Sequence, residues 1–355
     1  MGIVIALLIF GLIVTVHEFG HFICAKLSKV KVLEFSVGMG PKIIQKQFGE
    51  TMYSLRLLPV GGFCSMEGED SSEEDARSFR QAKLWKRMVI LAAGAIMNFI
   101  LGLITVTAMV CMMTDIPTTQ ISGFSGVKNE DGTATYYAQS YKTGLRHNDK
   151  IVEIDGTPIF SSLDLDFMLI STGDEVHDVV VKRDGKRLKL DNVTFHDEKN
   201  GGTIDFGIVY LEKTPLSVIK HSGETFLSMG HVVGLSLKQL VTGKVSKSEV
   251  SGPVGVVTTI SETTQQAKSF EDAVFSLLYM TSLITVNLGI INLMPVPGLD
   301  GGRLLFCIIE LIRRKPVKPE HEGYVHLAGL VLIFGIMIFA TFNDITKLIE
   351  QFTSK

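Results

Sequence analysis

The residues best suited to chemistry are HEFGH at positions 17–21. On a helix, positions four apart share a face, so His17 and His21 can both reach one metal ion. Glu18 beside them suits a general base acting on a water at that metal. In residues 1–24 the only acidic, basic or imidazole side chains are these three. Ionisable groups in an apolar span are costly and mark function. Three polar groups on a lipid-facing helix would lack partners. The pattern therefore predicts zinc-dependent hydrolysis inside a bilayer, rather than a buried helix whose two histidines happen to be four apart.

A catalytic zinc site needs three protein ligands and an open position. NLMPVPGLDGG at 292–302 offers the third. Asp300 is a carboxylate between two apolar runs. Pro295 and Pro297 open the helix there, which is tolerated only where backbone is buried or lines a wet cavity. Asp300 could instead cap a helix beginning near Gly302. Cys24, on the same face as His17 and His21, is a weaker alternative ligand. Asn292 could hydrogen-bond a substrate carbonyl or a developing oxyanion, or simply hold the broken helix together. Asn98, in AAGAIMN at 92–98, reads as part of a small-residue helix interface.

These residues need elements to position them. The chain has 355 residues, 46% of them hydrophobic, with a mean hydropathy of +0.31. Four segments, residues 2–26, 88–113, 275–294 and 325–342, are long and apolar enough, or nearly so, to span a membrane. The fold class expected is an α-helical polytopic membrane protein of about four spans. A net charge of -3 implies no nucleic-acid partner. Cys24, Cys64, Cys111 and Cys307 occur singly, without zinc-knuckle spacing or a disulfide pattern. The first span has no basic leader or cleavage site, so it is not read as a removable signal peptide.

Residues 26–87 carry 11 basic and 8 acidic residues, and residues 303–322 carry 5 and 3. The positive-inside rule places both loops in the cytoplasm and both termini outside. Residues 114–272, with 16 basic and 22 acidic residues, are then extracytoplasmic. Within the first loop, glycine-punctuated residues 35–41 and β-prone residues 52–58 suggest two short strands joined by glycine turns. Tyr53, Leu55 and Leu57 would lie on an exposed edge able to hold substrate as an added strand. An acidic tract at 67–75 follows, and WKR at 85–87 reads as an interfacial anchor. Residues 119–212 form a small β-rich domain with a hairpin around 183–186. Residues 225–241 suggest an amphipathic helix on the outer surface.

HEFGH together with NLMPVPGLDG resembles the site-two protease family of intramembrane metalloproteases, and more narrowly its bacterial regulator-of-sigma-E protease branch. Residues 35–42, 53–66, 85–98, 144–156 and SGPVG at 251–255 match in order. The resemblance implies that His17, His21 and Asp300 bind zinc and that Glu18 is the catalytic base. It also implies a membrane-associated β-structure in the cytoplasmic loop and one extracytoplasmic PDZ-like domain. The division expected is 1–113 and 275–355 as two membrane catalytic halves, 114–213 as the PDZ-like domain, and 214–274 as a connecting region. The implied function is regulated intramembrane proteolysis at the bacterial cytoplasmic membrane. The implied substrates are single-span proteins such as anti-sigma factors, and remnant signal peptides. A catalytically silent PDZ-bearing membrane scaffold is the competing class, and a metal transporter a distant third. Intact Glu18 argues against the scaffold.

Overall fold

The computed structural model describes residues 2–69, 75–128, 134–172, 176–195, 204–243 and 252–353. Residues 70–74 of the acidic tract and Ser251 lie outside the described residues. The elements run α1 (Gly2–Leu27), β1 (Val32–Phe48), β2 (Thr51–Met66), α2 (Leu84–Met112), β3 (Asp115–Phe124), β4 (Gly126–Lys128) and β5 (Ala134–Tyr136). Next come α3 (Gln139–Lys142), β6 (Lys150–Ile154), β7 (Thr157–Pro158), α4 (Ser162–Thr172), β8 (His177–Arg183), β9 (Lys186–Val193) and β10 (Phe206–Glu212). The last five are α5 (Pro215–Val241), α6 (Pro253–Gln266), α7 (Phe270–Leu293), α8 (Asp300–Arg313) and α9 (Pro319–Thr353). Contacts divide the chain into two compact units, residues 1–105 with 238–355, and residues 106–237.

Four helices among the described residues, α1, α2, α7 and α9, are long and apolar enough to cross a membrane. The chain is thus a multi-pass membrane protein. α9 extends well past the predicted 325–342 at both ends. α7 begins at a built cap: Ser269 Oγ accepts from the Asp272 N–H at 3.0 Å, and Glu271 and Asp272 complement the helix dipole. It ends at Leu293, just ahead of the helix-breaking Pro295.

β1 and β2 are longer than the two short strands expected, and they form one hairpin that folds back on itself. Phe35 pairs Cys64, and Lys46 pairs Tyr53, in a single hairpin register. The same β1 segment also pairs a second stretch of β2: Glu34 with Met52, Phe35 with Tyr53, Ser36 with Ser54 and Val37 with Leu55. Partner numbers rise together there, so these stretches run parallel. The result is four short strands in the order 62–66, 34–37, 52–55, 44–48. Gly38, Gly40 and Gly61 adopt positive φ at the fold-over, a conformation that disfavours other residues. The Pro59 carbonyl reaches Gly11 of α1 so closely that a Cβ there would overlap it. Gly11 lies six residues before His17, so the hairpin packs along the middle of α1. Its exposed side chains include the apolar Met39, Ile43, Ile44, Leu55, Leu57, Leu58 and Val60, alongside the polar Lys42, Gln45, Lys46 and Gln47. Ladder pairing satisfies the inward backbone groups of this folded-back sheet.

The SGPVG motif has a structural explanation. Asp344 of α9, buried, accepts from the N–H groups of Gly252 at 3.0 Å and Gly255 at 2.7 Å. It satisfies the otherwise orphaned first turn of α6.

The second unit contains a β-rich fold with strand order β10-β3-β6-β8-β9, and β7 paired to β6. Ile121, Leu145, Ile151, Ile154, Leu169, Val179, Val181 and Phe195 fill its core. The predicted hairpin is β8–β9, turned by Asp184 and Gly185, both at positive φ. The amphipathic helix expected at 225–241 starts ten residues earlier, as α5. Its polar face is docked: Ser228 Oγ donates to Asp164 Oδ2 at 2.5 Å, and His231 Nδ1 lies 2.9 Å from Asp164 Oδ1.

Candidate metalloprotease active site

α1 places His17 and His21 on one face, both buried. α2 lies directly against that face. The His21 Nδ1–H donates to the Ile90 carbonyl at 2.8 Å, which leaves Nε2 as the inward atom. A Cβ at Gly94 would overlap both imidazoles, so only glycine admits this approach. Ile90 and Gly94 sit one turn apart on the same face of α2, and the rings lie along it.

The third group arrives from the break between α7 and α8. Met294–Leu299 is a tight reversal, with the Val296 N–H donating to the Met294 carbonyl at 2.7 Å. Leu299 is the N-cap of α8 and Asp300 its first residue. Asp300 therefore does not act as the cap. Its Oδ2 lies 3.0 Å from His17 Nε2 and 3.2 Å from His21 Nε2, and the two Nε2 atoms are 3.1 Å apart. Zinc with ligands at 2.0–2.1 Å in a tetrahedron separates them by roughly 3.3 Å. The three atoms thus already stand close to the spacing that zinc imposes, with one corner left over. Among the described residues this is the one cluster of three such groups that could hold a metal, and Cys24 is outside it.

Glu18 is held apart from the cluster by the hairpin. Its Oε2 accepts from the Cys64 N–H at 2.9 Å. A cavity of ≈ 610 Å³ opens here, lined by Glu18, His21, Asp300, Phe63, Cys64, Ser65, Met66, Leu91, Leu299, Arg303 and Glu69 among others. Arg303 is paired with Glu69 at its wall.

The hairpin register places the free strand edge elsewhere than at Tyr53 and Leu55. Tyr53 and Leu55 have ladder partners on both sides, Phe35 and Lys46 for one, Val37 and Ile44 for the other. They present no edge, and Tyr53 instead packs against Phe22. Leu55 and Leu57 are exposed apolar groups on the hairpin. The strand that faces the cavity is 62–66. Cys64 points its N–H outward to Glu18, so by alternation Gly62 and Met66 also turn theirs outward. This agrees with the Glu67 N–H, of opposite parity, donating inward to the Lys31 carbonyl. Sequence reading missed this edge because the fold-over pairs residues with two partners at once. The PVGG turn at 59–62 marked where it begins. Asn292 is half-buried near the end of α7, makes no side-chain hydrogen bond with the described residues, and does not line the cavity.

Adding one methyl at Gly94 tests this packing. Gly94→Ala should displace both imidazoles by a fraction of an ångström to an ångström and lower turnover by roughly 100-fold. Metal content should fall as well. Gly223→Ala, where a Cβ meets nothing within 4 Å, is the control and should change neither. Unchanged activity in Gly94→Ala would mean the rings are not held this way.

Residues 5–336 match the family model described as Peptidase family M50. The chain is 33% identical to a protein of Clostridium perfringens named as a zinc metalloprotease, over 97% of this chain and 98% of that one. It is 32% identical to another so named from Fusobacterium nucleatum, over 98% and 99%. It is 29% identical to the Regulator of sigma-W protease RasP of Bacillus subtilis, over 96% and 97%. With a membrane-buried HExxH helix and a carboxylate brought against it, the chain belongs to peptidase family M50, the site-two type of zinc metalloprotease.

Proposed function

We propose that the chain cleaves membrane-spanning segments of single-span proteins, with His17, His21 and Asp300 as zinc ligands and Glu18 as general base. The observation that carries this reading is the convergence of His17 Nε2, His21 Nε2 and Asp300 Oδ2 beside a cavity lined by Glu18, His21 and Asp300. Zinc, when bound there, acts as a Lewis acid toward a scissile carbonyl and acidifies a water. Glu18 would accept the proton of the attacking water as its oxygen bonds to the scissile carbonyl carbon, and pass it to the amide nitrogen as the C–N bond breaks. The Cys64 N–H fixes one Glu18 oxygen and leaves the other for the proton transfer.

A helical substrate keeps its carbonyls in its own hydrogen bonds, so cleavage needs an extended backbone. The cavity-facing edge of strand 62–66 supplies partners for such a segment by strand addition. Apolar residues on the hairpin favour an apolar segment over a soluble one. Anti-sigma factors and remnant signal peptides fit this class. Asn292 is proposed as a contact to the substrate backbone once the segment is in place.

The β-rich region 114–213 is proposed as a PDZ-like domain on the extracytoplasmic side, with 214–274 connecting it back to the catalytic half. It supplies neither a ligand nor the base, so its role is access rather than chemistry. A silent scaffold would have no use for a carboxylate aligned beside two imidazoles.

Two measurements test the reading. Glu18→Gln keeps size and the Cys64 contact but removes the base. It should bind zinc and capture substrate normally while cleavage falls roughly 10²–10⁴-fold. Cleavage at the native rate would remove Glu18 from this role. Met66→Pro deletes one outward N–H of the edge strand, whereas Met66→Leu keeps it with similar bulk. The proline variant should retain zinc but lose about tenfold or more in cleavage efficiency, the worth of one hydrogen bond. Equal losses in the two variants would count against strand addition at this edge.

A further inference from the structure

His17 has a second polar neighbour that the mechanism above does not use. Asn98 of α2 is fully buried, one turn beyond Gly94. Its Nδ2 lies 3.2 Å from His17 Nδ1. Its Oδ1 is buried with no hydrogen-bond partner. A buried amide oxygen without a partner is expensive and calls for an explanation. The helix backbone around it is also anchored, since the Thr285 Oγ1 of α7 donates to the Asn98 carbonyl at 3.2 Å. This is more than the small-residue helix packing expected from AAGAIMN.

In the rotamer present, the Asn98 N–H donates to His17 Nδ1. The ring proton is then on Nε2, which donates to Asp300 Oδ2 at 3.0 Å. That is a self-consistent arrangement for a histidine not acting as a ligand. A histidine that offers its Nε2 lone pair to a metal must carry its proton on Nδ1, and that N–H needs an acceptor. Rotating the Asn98 amide by 180° exchanges its nitrogen and oxygen. The Oδ1 then faces Nδ1 and accepts from its N–H, while the amide nitrogen takes the place Oδ1 held. His21 already has its equivalent in the Ile90 carbonyl.

We propose that Asn98 is a positioning residue for the metal centre, an amide that turns over to fix the His17 tautomer as the ligand state forms. An amide suits the place because it is a donor in one state and an acceptor in the other. Ile90, Gly94 and Asn98, spaced four apart on α2, then form one rail holding both imidazoles. The proposal rests on His17 being a ligand, as argued above.

The experiment is zinc affinity of the full-length chain in detergent, by competition with a chelator of known affinity, alongside cleavage of a model single-span substrate. Asn98→Leu keeps the volume and removes the acceptor. It should weaken zinc binding about 10–100-fold, the usual cost of losing such a partner. Asn98→Asp keeps an acceptor toward Nδ1–H and should bind zinc within about threefold of the native chain, or more tightly. His17→Ala should lose zinc far more severely. Native affinity in Asn98→Leu, or a loss in Asn98→Asp as deep as that in Asn98→Leu, would overturn the proposal while leaving the ligand set intact. Should Asn98→Leu not fold, Asn98→Asp decides: retained affinity supports the acceptor role, and affinity as poor as that of His17→Ala overturns it. Full zinc binding in His17→Ala would overturn the ligand set and this proposal together.

Discussion

Everything in the membrane unit depends on bringing one carboxylate against two imidazoles where water is scarce. In such surroundings an unpaired carboxylate costs several kcal/mol, and an unpaired imidazole a polar-group penalty. Asp300 Oδ2 stands 3.0 and 3.2 Å from the two Nε2 atoms, so one cation shared by the three would satisfy them together. The rest of the unit can be read as the means of holding that contact. Gly94 lets α2 touch the rings, the Ile90 carbonyl fixes one of them, and the reversal at Met294–Leu299 delivers Asp300 at the first turn of α8. Ala25, Val30, Val32, Cys64, Met66, Ile90, Leu91 and Cys307 pack into one core that joins α1, the hairpin, α2 and α8.

The folded-back hairpin answers a different constraint. A protease acting on membrane segments must unwind a helix where the released backbone has no water to bond. A strand edge with outward N–H groups offers such partners, and strand 62–66 presents one beside the cavity. The same strand that would take the substrate also holds Glu18, through the Cys64 N–H. In the proposed reading, substrate alignment and placement of the base share one element. Arg303 paired with Glu69, on the cavity wall, adds an ionic tie between α8 and the end of that strand.

Much of the site was legible from residue types alone. His17, Glu18 and His21 stood out because they are the only charged or imidazole side chains in an apolar stretch. Asp300 stood out because two prolines explain how a carboxylate could sit between apolar runs. Four spans followed from hydropathy. Less legible was anything set by two partners meeting. The free edge lies at strand 62–66 rather than at Tyr53 and Leu55 because the hairpin folds over, and no local pattern records a parallel pairing between residues 18 positions apart. Asn98 and Gly94 looked like helix packing because their partners lie about 75 residues earlier. Residues 225–241 read as surface-seeking because the buried Asp164, which binds that helix's polar face, is distant in sequence.

The central claim is that His17, His21 and Asp300 together hold one zinc ion. The most direct measurement is zinc content of the purified chain by elemental mass spectrometry, compared across single substitutions. The account predicts one zinc per chain in the native protein and in Cys24→Ser, and strongly reduced zinc in His21→Ala and Asp300→Ala. Full zinc in Asp300→Ala, with loss in Cys24→Ser, would contradict it.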